Sequence, residues 1–225
     1  MTTGPQDIPA ALVERILTPG GASRRIVAVM GPPGSGKSTF AETLRDALAD
    51  RGAQVAILPM DGFHHDDAIL DARGLRARKG APETFDVAGL VHLVGRLRRN
   101  DEGEIAVPVF DRRLEISRNA ARLIDPGIDT LIVEGNYLLL DRPGWSALAP
   151  LFDLTIALDV PEAELRRRLI ERWRGFAIPE AEIPARVDGN DMRNGLTVLG
   201  HSRAADITLQ ETGAAGYLIK EEDRQ

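Results

Sequence analysis

Eight consecutive residues, Gly31-Pro32-Pro33-Gly34-Ser35-Gly36-Lys37-Ser38, match the spacing G-x-x-x-x-G-K-[ST]. Each fixed position has a physical use. Glycines let backbone N–H groups turn inward and approach phosphate oxygens closely. A helix starting at Lys37 presents unpaired N–H groups and the positive end of its dipole to the same anion. The Lys37 ammonium neutralises β- and γ-phosphate charge, and the Ser38 hydroxyl suits Mg²⁺. Thr39 adds a hydroxyl near the α-phosphate. The eight residues and Thr39 therefore predict a nucleoside triphosphate site, with ATP and Mg²⁺ as cofactors.

Two carboxylates have the right neighbours to work beside such a loop. Asp61 follows the apolar run Val55–Pro59, and Glu134 ends the run Leu131-Ile132-Val133. Ligands of open α/β sheets bind beyond the carboxyl ends of the strands, so both acids are expected at the rim that carries the phosphate loop. Asp61 can accept the proton of an attacking hydroxyl. Taken alone it can equally cap a turn with Gly62. Glu134 has the apolar-run-plus-acid pattern that holds Mg²⁺ or orients a nucleophile. The alternative, a surface acid at a strand end, conflicts with the Thr-Leu-Ile-Val that precedes it.

The remaining chain supplies elements to position these groups. Ile8, Leu12, Val13, Ile16 and Leu17 have helical spacing, which predicts a lead-in helix within residues 1–20. Arg25–Met30 reads as a strand buried on both faces, and Lys37–Arg51 as the helix after the loop. Val55–Pro59, Glu104–Phe110, Leu131–Val133 and Leu154–Leu158 are further strands, with Pro108 putting its strand at an edge. Gly62–Pro82 is polar and reads as loop and short helix over the site. Asp86–Arg99 and Glu162–Arg174 are helical, the latter with Asp159 as its cap and Glu162 completing a capping box. Ala204–Leu209 and Gly216–Ile219 are late strands. Alternating strands and helices predict an α/β fold with a mainly parallel sheet. No repeat or linker divides the chain, so residues 1–225 are read as one domain.

Composition excludes several chemistries. The chain has 225 residues and no cysteine, which removes disulfides, iron–sulfur clusters and thiol nucleophiles. Its net charge of −6 argues against nucleic acid as partner. The longest stretch without Asp, Glu, Lys or Arg is Ile26–Gly36, 11 residues, too short to span a membrane. The N-terminus lacks a basic start and apolar run, so a soluble cytoplasmic protein is expected. Arginine outnumbers lysine 25 to 3, and none of the lysines stands in an N/T-K-x-D guanine motif. An ABC-type L-S-G-G-Q segment is likewise missing. No histidine spacing suggests a metal site.

After the phosphate loop come, in order, Asp61-Gly-Phe-His, Lys79-Gly-Ala-Pro-Glu-Thr-Phe-Asp86, Val107-Pro-Val-Phe-Asp111 and Val133-Glu-Gly-Asn-Tyr137. Over roughly residues 24–210 this set resembles the phosphoribulokinase/uridine kinase/pantothenate kinase family of P-loop kinases. It is most similar to the bacterial branch labelled nucleoside or fructose-transport-system kinase. The resemblance implies a three-layer P-loop sandwich with an Arg-rich helical lid at about residues 162–195. It implies Asp61 as base and Glu134 as the Mg²⁺-linked acid, with Lys37 and Arg172 also in catalysis. Of the lid arginines Arg166, Arg167, Arg168, Arg172 and Arg174, the pair Arg168 and Arg172 share a face. Arg168 and Arg203 are implied at the nucleotide. Substrate contacts are implied at His64, Arg73, Lys79, Phe110, Tyr137 and Asn190. Two departures narrow the substrate. His64 and His65 stand where uridine kinases carry an aromatic, and the long C-terminal region of pantothenate kinases is missing. The resulting expectation is a kinase acting on a hydroxyl of a small polar metabolite such as a sugar. An ATPase or nucleotide switch associated with transport is the alternative. Family members are often oligomers, so a homodimer is compatible with the resemblance.

Overall fold

Along the strand that precedes the phosphate loop, Ile26, Ala28 and Met30 enter one apolar cluster and Val27 and Val29 enter another. A strand that is apolar on both faces has to lie inside a sheet covered on both sides. The computed structural model describes residues 8–18, 24–212 and 216–220, and it has this layered arrangement.

In chain order the elements are α1 (Ala10–Leu17), β1 (Arg25–Met30), α2 (Lys37–Ala49), β2 (Val55–Pro59), α3 (Asp67–Ala72), α4 (Val87–Arg99), β3 (Ile105–Asp111), β4 (Ile116–Ile124) and β5 (Thr130–Gly135). There follow β6 (Leu154–Asp159), α5 (Glu162–Gly175), α6 (Ile183–Arg186), α7 (Met192–His201), β7 (Ile207–Glu211) and β8 (Tyr217–Lys220). Among the described residues the main sheet runs β2-β5-β1-β6-β7-β8, parallel except for β8. One face carries α1 and α2 through Leu12, Ile16, Phe40 and Leu44. The other carries α4 and the β3–β4 pair through Leu90, Val94, Leu97 and Val107. A third cluster, with Leu165, Leu169, Ile183, Val187 and Met192, holds the helical lid together.

Three local readings change. β3 and β4 form a separate antiparallel ribbon, and the register shifts between Val107 and Val109, where Pro108 has no N–H to give. The sequence reading contains no β4. Asp159 is no helix cap: pairing with Gln210 keeps it in β6, and its carboxylate accepts from Lys220 Nζ at 2.9 Å. α5 starts after Pro161 without a side-chain cap. The late strand begins at Ile207, because Arg203 instead donates its backbone N–H to the Leu139 carbonyl. Residues 1–7 and 19–20 of the lead-in reading lie outside the described residues.

Candidate active site

Strand register assembles the site. Glu134 of β5 pairs with Val29 of β1 on one side and Pro59 of β2 on the other. The carboxyl ends of three adjacent strands therefore end level with one another. The chain leaves β1 into the phosphate loop, and it leaves β2 into a 3₁₀ turn, Met60–Phe63, that carries Asp61. Gly135 is what lets this turn come close, since a Cβ there would sit 2.4 Å from Met60 Cβ.

In the phosphate loop Gly34 and Gly36 have φ of 84° and 81°, a left-handed conformation that favours glycine. Gly36 precedes α2 and no side chain caps the helix, which leaves its first-turn N–H groups for an anion. Ser35 is buried under the loop, with its hydroxyl against Gly31. Pro32 is buried, Pro33 lines the cleft, and Ser38 and Thr39 are exposed in the first turn of α2. The Ser38 hydroxyl donates to Glu134 Oε1 at 3.2 Å. A hydroxyl and a carboxylate side by side are hard oxygen donors that suit Mg²⁺, which favours one or two protein oxygens completed by substrate phosphates. Among the described residues no His, Asp and Glu cluster forms a metal cage by itself.

Lys37, Asp61, His64, Lys79, Phe110, Arg172 and Asn190 line one cleft of about 890 Å³. A second, of about 440 Å³, lies against Ser38, Glu134 and Arg122. Asp61, Phe110 and Arg112 form the wall common to both. Burial pushes the Lys37 ammonium below its usual value, against the opposing pull of Glu134 and Asp61. Burial alone would raise the Asp61 carboxyl. His64, Arg112, Lys37 and Arg172 together outweigh it and hold Asp61 below the ordinary carboxylate range. Glu134 is raised by burial, opposed by Lys37 and by its bond from Ser38. Two acids beside one loop are thus driven apart, one ionised readily and one reluctantly.

The lid arginines divide by face. Arg166 pairs with Asp188, Arg167 with Glu164 and Glu171, and Arg174 with Glu180, all on the exposed side. Arg168 lies over the phosphate loop, its Nη1 3.7 Å from where a Cβ on Gly36 would be. Its charge is already shared by Glu164 and Glu211 at 2.7 and 2.5 Å. Arg172 faces the cleft, with its guanidinium 5.8 Å from the Trp173 ring and 5.9 Å from that of Phe176. Trp173 also lines the cleft and donates Nε1–H to Asp191 at 2.7 Å.

The acceptor side is built by the 62–86 segment and tied to the lid. Arg78 donates to Asn190 Oδ1 at 2.7 Å and to Asn194 Oδ1 at 3.0 Å, and Asn190 donates to the Lys79 carbonyl at 2.9 Å. His64 Nδ1 contacts the Asp61 carbonyl at 2.8 Å, and its ring packs on Phe85 and Phe110. Lys79 Nζ donates to Asp67 at 2.7 Å and the Glu115 carbonyl at 2.5 Å.

Three implied contacts line neither cleft and, unlike Arg168, do not lie over the phosphate loop either. Arg73 is the exposed C-cap of α3, and Arg76 of the next turn reaches the lining instead. Arg203 turns away to hold Asp141 at 2.7 Å. Tyr137 is fully buried between Phe85 and Trp145, and its hydroxyl donates to the Gly80 carbonyl at 2.7 Å. Tyr137 therefore fixes the loop that carries Lys79. Tyr137→Phe is expected to destabilise the fold by about 1–2 kcal/mol, leaving a carbonyl unpaired, as read by urea denaturation. Sequence reasoning passed over two cleft residues. Asn136, one position before Tyr137, has a buried Oδ1 without a partner among the described residues, and Arg112 donates to Asp61 Oδ2 at 2.5 Å.

Residues 3–71, the segment around the phosphate loop, match the family described as methylmalonyl Co-A mutase-associated GTPase MeaB. Much more of the chain matches individual proteins. It is 40% identical over 201 residues to YggC of Escherichia coli K12, covering 86% of this chain and 81% of that one. It is 35% identical over 196 residues to a candidate uridine kinase of Schizosaccharomyces pombe, covering 84% and 83%. A crystal structure described as a candidate fructose transport system kinase from Silicibacter sp. TM1040 superposes with a TM-score of 0.82 at 40% identity, covering 88% of this chain and 94% of that one. Among the described residues no helix is long and apolar enough to cross a membrane. With the phosphate loop, the acid after β2 and the acid ending β5 meeting at the carboxyl end of the sheet, the chain belongs to the phosphoribulokinase/uridine kinase/pantothenate kinase family of P-loop kinases.

Proposed function

We propose that this protein is an ATP-dependent kinase that moves the γ-phosphoryl group to a hydroxyl of a small, freely diffusing metabolite. We read residues 1–225 as one kinase domain, with residues 162–195 as its lid, working in the cytoplasm. The observation that carries this reading is the shared cleft of Lys37, Asp61 and Arg172. A hydroxyl placed there meets a base on one side and two cations on the other. Asp61 takes the hydroxyl proton while the acceptor oxygen bonds to phosphorus and ADP departs. Lys37, Arg172 and the loop N–H groups bear the charge that spreads over the transferring group. Ser38 and Glu134 would hold Mg²⁺, which supplies further neutralisation of the phosphates. The lid shuts water out, so transfer exceeds hydrolysis.

The names of the relatives suggest uridine, pantothenate or a sugar as starting acceptors. A panel of fructose, uridine, pantothenate and glycerate, each with MgATP, tests the reading through ADP release and mass detection of the phosphorylated product. The expected outcome is one class that raises ADP release at least about tenfold, since the binding energy of a proper acceptor is used to complete the site. ADP release with no phosphorylated product from any acceptor would favour a nucleotide switch instead.

A further inference from the structure

The base of the proposed reaction is occupied. Asp61 Oδ2 accepts from Arg112 Nη2 at 2.5 Å. A carboxylate locked to a guanidinium is a poor proton acceptor for anything else. Arg112 is also the residue best placed to leave. Its side chain is 50% exposed, whereas that of Asp61 is 22% exposed. It sits where β3 ends and the ribbon turns, a turn whose Glu115 has a left-handed φ of 56°. The ribbon is outside the main sheet. Among the described residues, side-chain bonds besides the Arg112 pair tie it to the site from Ser117 to the Gly62 carbonyl, from Lys79 to that of Glu115 and from Arg122 to that of Ile57. An ion pair with one partner half in water is weak, so another anion can exchange into it.

The surroundings say what would draw Arg112 away. Its guanidinium lies 5.8 Å from the Phe110 ring centre, and Lys79 Nζ lies 5.4 Å from the same centre. Two cations therefore border one aromatic wall of the cleft. Lys79 spends two of its three N–H donors on Asp67 and the Glu115 carbonyl and has one left. The acids of this cleft other than Asp61 and Glu115 are committed: Glu182 to Arg186, and Asp191 to Trp173.

We propose that Arg112 is a latch on Asp61, released when an anionic group of the acceptor, a carboxylate or a phosphate, takes over its guanidinium beside Lys79. The proposal rests on the kinase reading above and names the substrate class for it: a compound with a hydroxyl and an anionic group on the same small frame. On release, the acceptor hydroxyl gives its proton to Asp61, its oxygen bonds to the γ-phosphorus, and the bond from phosphorus to the β-phosphate oxygen breaks. Water carries no anionic handle. It leaves the latch shut, and ATP is spared in the absence of acceptor.

The test uses the full chain with MgATP and no acceptor, and reads ADP release. Arg112→Met is expected to hydrolyse ATP at least fivefold faster than the unaltered protein. Arg112→Lys, which keeps a charge but loses the planar fork, is expected to hydrolyse ATP faster than the unaltered protein and slower than Arg112→Met. Acetate and methylphosphonate serve as anion probes that lack a hydroxyl to phosphorylate. One or both should stimulate hydrolysis by the unaltered protein and leave Arg112→Met unaffected. Acetate alone acting assigns a carboxylate, and methylphosphonate alone a phosphate. Equal basal rates in Arg112→Met and the unaltered protein would overturn the latch, as would stimulation by neither probe. Failure of the unaltered chain to bind MgATP, read by calorimetry, would remove the kinase reading and the latch with it.

Discussion

Asp61→Asn is expected to lower turnover by about 10²–10⁴-fold, the usual cost of losing a positioned general base, while MgATP still binds. Asparagine keeps the size of the side chain and one acceptor oxygen, so the turn Met60–Phe63 and the wall it forms with Phe110 stay in place. What is lost is the ability to take a proton. Lys37, Ser38 and the phosphate loop are unchanged, so nucleotide affinity by calorimetry should move by no more than a few-fold. The pH profile gives a second check. The net effect of His64, Arg112, Lys37 and Arg172, set against burial, is a carboxyl held below its usual value. Asp61 is then ionised at neutrality and stays so as the solution is acidified through the normal Asp range. For the unaltered protein kcat/KM, which reports the acceptor-free state, should fall with this group only below the ordinary Asp range. Asp61→Asn should lose that limb. A variant that turns over within twofold of the unaltered protein would assign proton transfer to another group.

The residues legible in the sequence were those whose chemistry forces a local pattern. The phosphate loop needs its glycines, lysine and hydroxyl in one run. Glu134 announces itself because a strand buried on both faces has no reason to end in an acid unless its end is used. Arg112 had no such signal. It becomes visible only once β3 and β4 pair, and β4 reads I-S-R-N-A-A-R-L-I, with most of its middle exposed. Residues 118–123 of β4 are all exposed, and hydrophobic alternation, the main sign of a strand, disappears there. Arg73 lies outside the cleft lining for a related reason. Whether Arg73 or Arg76 reaches the cleft depends on short 3₁₀ turns after α3, and these carry no periodicity. Tyr137 and Asn136 are adjacent in one motif, and the bend that follows β5 puts the aromatic in the core and the amide in the cleft.

Lys37→Met separates function from scaffold most sharply. Turnover should fall by about 10²–10³-fold, the range for removing one charge-stabilising donor at a reacting centre, and nucleotide binding should weaken as well. Stability should not fall with it. Burial lowers the ammonium's pKa, and Glu134 and Asp61 only partly restore it, so the folded value lies under the unfolded one. For a base shifted in that direction, the protonated form is disfavoured by folding. The penalty is therefore present at every pH below the folded value. It is relieved only as the pH rises toward the unfolded value near 10.5. At neutrality the charged lysine is a cost to the nucleotide-free fold, offset when triphosphate oxygens arrive. Methionine, of similar length and uncharged, removes that cost. The midpoint of thermal unfolding without nucleotide should be unchanged or higher, while the upward shift that MgATP gives the unaltered protein should shrink. A variant whose melting point drops along with its activity would mean that Lys37 holds the fold together rather than the phosphates.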